Sequence, residues 1–75
     1  MGVDPDVLRA LERTLVADPE NRALRLHLVG LLMTDRQFAA ALGHCETLLR
    51  GNPGDDEAAT LAAAARRELG VTADH

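Results

Sequence analysis

Apolar residues recur along this chain at intervals of three and four, the spacing that gathers them on one side of an α-helix. Val7, Leu8, Leu11 and Leu15 make the first stripe, with Arg9, Glu12 and Arg13 on the other side. Leu24, Leu28, Leu31 and Leu32 make the second. Phe38, Ala41, Leu42, Cys45, Leu48 and Leu49 make the third, and Ala58, Leu61, Ala62, Ala65 and Leu69 the fourth. Alternation of the strand type occurs in Leu24-Arg25-Leu26-His27-Leu28, but the apolar spacing around it continues as a helix through Leu32.

Punctuation between the stripes agrees. Asp4-Pro5-Asp6 supplies an N-cap, a proline at the first helical position and an acid in the first turn. Asp18 precedes Pro19, which ends helix 1 by residue 17, and the same Asp18-Pro19-Glu20 is expected to open helix 2. Thr34-Asp35-Arg36-Gln37 is a polar break, with Asp35 the expected N-cap of helix 3. Gly51 is the expected C-cap of that helix, Gly51-Asn52-Pro53-Gly54 is a turn cluster, Asp55 or Asp56 caps helix 4, and Gly70 closes it. The expected helices cover 5–17, 19–34, 36–50 and 55–69, a single domain over 1–70, with 71–75 a flexible end or a linker to a further domain. Short connections and no strand signal give an all-α architecture of antiparallel hairpins.

Self-comparison adds a period. Shifted by 34 residues, Leu8 falls on Leu42, Glu12 on Glu46, Leu15 on Leu49 and Pro19 on Pro53. A two-helix unit that recurs at this interval and stacks on its neighbour is the physical reading. Leu28, Val29, Leu32, Phe38-x-x-Ala41, Cys45, Leu48 and Pro53 give the chain a resemblance to the tetratricopeptide repeat family. The resemblance covers one full unit, about 20–53, flanked by the second helix of a preceding unit and the first helix of a following one. It departs where Arg25 stands in place of a large residue such as Trp, Val29 in place of Gly or Ala, and Cys45 in place of an aromatic. The third unit is nearly all Ala.

The resemblance implies a short right-handed array of about four helices whose first-of-unit helices line a concave, peptide-binding face. Carried over position by position, that face comprises Ala23, Leu26, Gly30, Met33 and Thr34, then Glu57, Thr60, Ala64, Arg67 and Glu68. Leu26 and Gly30 occupy the places where some members carry the Lys and Asn that clamp a terminal carboxylate. Leu and Met walls with a Gly floor suit an apolar or amphipathic helix. The expected role is a protein–protein interaction module, such as the N-terminal recruitment or adaptor domain of a larger protein, for example an AAA-type ATPase. The alternative is homo-oligomerisation, with the apolar helix faces paired to another copy.

Composition narrows the field. In 75 residues 47% are hydrophobic but only 1% aromatic, a thin core that favours a piece of something larger or a self-associating chain. Net charge is −4 and every basic residue is Arg, a balance that argues against nucleic-acid binding. One Cys allows no internal disulfide, and the first residues lack a signal-peptide pattern, so a cytoplasmic setting is expected. The apolar run 24–33 is too short to span a membrane.

No phosphate loop, nucleophile motif or carboxylate pair among apolar residues points to an enzyme. His44 and Cys45 are neighbours on a helix and diverge by about 100°, so neither a metal nor another cofactor is expected, and Cys45 reads as core. Arg9/Arg13, Arg22/Arg25 and Arg66/Arg67 read as solvated faces paired with acids such as Glu12, Glu20 and Glu68.

Overall fold

The computed structural model describes residues 3–70. Four helices follow one another: α1 (Pro5–Ala17), α2 (Arg22–Thr34), α3 (Phe38–Gly51) and α4 (Asp56–Leu69). The described residues contain no strand, and the fold is an all-α helical array. Each helix packs on the next in sequence, most extensively α3 on α4, then α2 on α3, with α1 held by α2. In addition α2 touches α4.

Helix α1 matches its expected bounds, with Asp4 capping through the Asp6 N–H at 2.9 Å. The other starts differ. Helix α2 begins at Arg22 and not at Pro19, because Asp18 serves the helix before it: the Asp18 N–H donates to the carbonyls of Thr14 and Leu15. Pro19 and Glu20 are spent on the turn, and Asn21 becomes the N-cap, accepting from the Leu24 N–H at 3.0 Å. Helix α3 starts at Phe38 and runs through Gly51, so Asn52 is its C-cap.

Asp35, expected to cap α3, closes α2 instead. Arg36 takes a left-handed φ of 60°, its N–H bonds the Met33 carbonyl at 3.1 Å, and the Gln37 N–H bonds the Leu32 carbonyl at 2.8 Å. These two bonds are those of the Schellman turn, here built without glycine. The Asp35 carboxylate is thereby free to accept from the Val3 N–H at 3.1 Å, tying the start of the chain to the end of α2. Gly70 closes α4 as expected, and does so in the left-handed conformation at φ 73°.

The 34-residue period is written into the backbone bonds. Asp18 N–H to Thr14 O (3.0 Å) recurs as Asn52 N–H to Leu48 O (2.9 Å). Asn21 N–H to Asp18 O recurs as Asp55 N–H to Asn52 O. The Asn21 cap on Leu24 recurs as the Asp55 cap on Ala58, so the two turns are the same structure used twice.

The core collects Leu8, Leu15, Leu28, Val29, Leu32, Ala41, Cys45 and Ala62, all buried. Four leucines, one valine and three small residues fill it. Ala58 and Ala65 are buried as well, which lets α4 approach α3 closely. Among the described residues the exposed large apolar side chains are Val7, Val16 and Leu69, all on the two outer helices.

Candidate functional site

The face carried over from the repeat family lies at the surface. Ala23, Gly30 and Thr34 on α2 are exposed, as are Glu57, Thr60 and Arg67 on α4. Leu26, Met33 and Ala64 are half-buried. Glu68 is exposed. The expected apolar stripe therefore splits. Met33 packs against the core cluster, whereas Leu26 is not among the residues that do. Gly30 sits mid-helix with nothing within 4 Å of where a Cβ would stand. Thr34 turns its hydroxyl back to the Gly30 carbonyl at 3.0 Å.

What holds α2 beside α4 is an ion pair absent from the expected set. Arg22, the first residue of α2, donates from Nε and Nη2 to the two Asp55 oxygens, each at 2.8 Å. The same guanidinium reaches Glu57 Oε1 at 3.3 Å. Asp55 is 5% exposed and also caps α4 through the Ala58 N–H at 3.2 Å. Its carboxyl is held down at about 2, by the hydrogen bonds from Arg22 first and from Ala58 second, against the upward push of burial. The Arg22 guanidinium is correspondingly raised above its ordinary value. One carboxylate thus starts a helix and fastens it to its neighbour.

The remaining arginine pairs are also rearranged. Arg9 lies 3.7 Å from Asp6 and Arg66 3.8 Å from Glu46, in place of the acids expected from sequence proximity. Arg25 donates to Nδ1 of His44 at 2.9 Å and to the Pro19 carbonyl at 3.0 Å. An arginine can only donate, so His44 Nδ1 accepts and the ring is the neutral tautomer protonated at Nε2. Burial, then the Arg25 charge, lowers the His44 pKa, while Glu12 pulls it the other way.

Two clefts open beside these residues. One of about 350 Å³ lies between the α1–α2 turn and the end of α3, walled by Pro19, Arg22, Arg25, Leu48 and Asp55. The other, about 340 Å³, is bounded by Glu12, Leu15, Val16, Pro19, Arg25 and His44. None of the ten residues expected on the binding face lines either cleft.

Cys45 is buried, and burial pushes its thiol above the ordinary value. Among the described residues no three His, Cys, Asp or Glu side chains converge as metal ligands. None of the described helices is long and apolar enough to cross a membrane. The expected end or linker at 71–75 lies outside the described residues. No protein-family model, curated protein or solved structure matches this chain.

Proposed function

We propose that this domain is a non-catalytic protein-binding module of tetratricopeptide type. Its helices would stack in the right-handed sense of that family. The face formed by Ala23, Leu26, Gly30, Met33 and Thr34 of α2, with Glu57, Thr60, Ala64 and Arg67 of α4, receives an apolar or amphipathic helix.

The observation that carries this reading is the pairing of Leu26 with Gly30. Leu26 is a large apolar side chain left outside the core cluster. Gly30 costs an α-helix about 1 kcal/mol relative to alanine, and nothing inside the molecule needs the missing Cβ. Gly30 fills no need of the fold, half-buried Leu26 lies outside the core cluster, and one turn apart they offer an apolar wall beside a low floor. The Arg22 clamp on Asp55 and Glu57 keeps the N-termini of α2 and α4 together, so a ligand would meet two helices at a fixed spacing.

The test is direct. A labelled amphipathic peptide with leucines at i, i+3, i+4 and i+7 is titrated with the protein and with Leu26→Glu, read by fluorescence anisotropy. Binding should weaken at least tenfold while the helical circular dichroism is unchanged. Equal binding by the variant, no binding by the wild type, or loss of helix in the variant would each defeat the proposal.

A further inference from the structure

The internal period makes the two outer helices counterparts of the inner pair. Helix α1 is equivalent to α3, and α4 to α2. The inner pair forms the α2–α3 hairpin, in which Val29 and Leu32 of α2 and Ala41 of α3 are at most 1% exposed. One period on, Val29 becomes Ala63 and Leu32 becomes Arg66; one period back, Ala41 becomes Val7. All three are exposed, Val7 by 44%. The outer side of α4 therefore lacks, among the described residues, the kind of helix that α3 is. The outer side of α1 lacks the kind of helix that α2 is.

From this we infer that the chain joins head to tail with a second copy, the outer face of α4 on one molecule seating α1 of the next in the manner of the α2–α3 hairpin. The register follows from an observed contact. Arg25 meets His44 between antiparallel α2 and α3. Moved by one period, the same contact sets Ala59 against Ala10 of the second copy, two small exposed residues that do not obstruct each other. One turn along, Ala63 meets Val7 of the second copy, so an exposed valine enters a face of small side chains.

Charge agrees at both ends of this joint. One further turn brings Arg66, whose exposed pair with Glu46 is a long 3.8 Å, to Asp4 of the second copy, and one turn in the other direction brings Asp56 to Arg13 of the second copy. More broadly, the basic last turn of α4 presents Arg66 beside the acidic start of α1 (Asp4, Asp6). Opposite charges at both ends select this antiparallel register over its reverse. A face that pairs with a different face makes a head-to-tail joint, which adds molecules one after another as an open chain unless the rotation per molecule brings it round into a ring. The α2/α4 binding face stays outside the joint, which makes this inference independent of the proposed peptide binding.

Light scattering across a concentration series tests it. The wild-type mass should climb above 8.0 kDa as concentration rises. Val7→Glu and Ala63→Glu each block one face at an exposed position, so each alone should remain monomeric with unchanged helical circular dichroism. Mixed, they should form a 1:1 dimer through the one good face that each retains. A mixture of Ala10→Cys and Ala59→Cys should give a bismaleimide cross-linked heterodimer, and neither variant alone should cross-link. This arm decides the matter if a glutamate variant loses helix. A wild type that stays at monomer mass into the millimolar range, association that survives either glutamate variant, or a mixture that stays monomeric would overturn the inference.

Discussion

Asp55 receives three hydrogen bonds from two directions, two from Arg22 and one from its own helix. Its folded value of about 2 lies below the ordinary carboxylate value of 3.8. The folded state therefore binds this proton less readily than the unfolded chain does. The stabilisation it brings is complete above about pH 4 and is lost as pH falls toward 2. Asp55→Asn keeps a capping side chain but loses the carboxylate that Arg22 grips, and should lower the thermal midpoint at pH 7 by about 5 °C. Near pH 2 wild type and variant should melt together, and melting curves across this range read both effects. A capping acid at this position is legible from Asp55-Asp56 ahead of an apolar stripe. Its partner is not, because Arg22 lies a whole repeat upstream and only the folding of α2 against α4 brings it near.

Helix α2 shows what periodicity conveys and what it leaves open. The stripe Leu24-Leu28-Leu31-Leu32 is readable as the face that packs, and Leu28 and Leu32 are indeed buried. Leu26 is of the same residue type and only two positions away from Leu28, yet one is fully buried and the other stands outside the core cluster. Leu28→Ala should cost about 2–5 kcal/mol, a large share of what so small a domain possesses. Leu26→Ala should cost less than about 1 kcal/mol. Urea denaturation of the two variants gives the comparison. Helix boundaries were less legible than stripes. Asp18-Pro19 looks like a cap followed by a first helical residue, but the Asp18 N–H is taken by α1 and the cap moves to Asn21. Likewise, nothing in Thr34-Asp35-Arg36-Gln37 marks Arg36 as left-handed, since glycine is the usual signal for that conformation.

Across the whole molecule, support is uneven. Helix α3 lies between α2 and α4, whereas α1 rests on α2 alone. Leu8, Leu15, half-buried Leu11 and the Val3–Asp35 bond are its principal anchors. Native-state amide exchange should accordingly be slowest in α3 and the adjoining side of α2, and fastest in α1, whose protection should reflect local opening rather than global unfolding. Equal protection of α1 and α3 would show that the four helices open as one unit. The same unevenness underlies both proposals. The α2/α4 face is available to a ligand because the clamped helices expose it, and the outer faces of α1 and α4 are available to a second copy because the array does not close upon itself.

The helical class, the four stripes, the 34-residue period and the caps at Asp4 and Gly70 are legible from the order of residues alone, because each of these depends on neighbours within one or two turns or on simple recurrence. Only the folded chain decided that Asn21 and not Asp18 caps α2, that Asp55 caps α4, which leucine of α2 is core, and that Arg22 joins Asp55. Those choices depend on competition between groups far apart in the chain: a backbone N–H already bonded elsewhere, a face covered by another helix, a charge brought within 2.8 Å of its partner only when α2 and α4 meet.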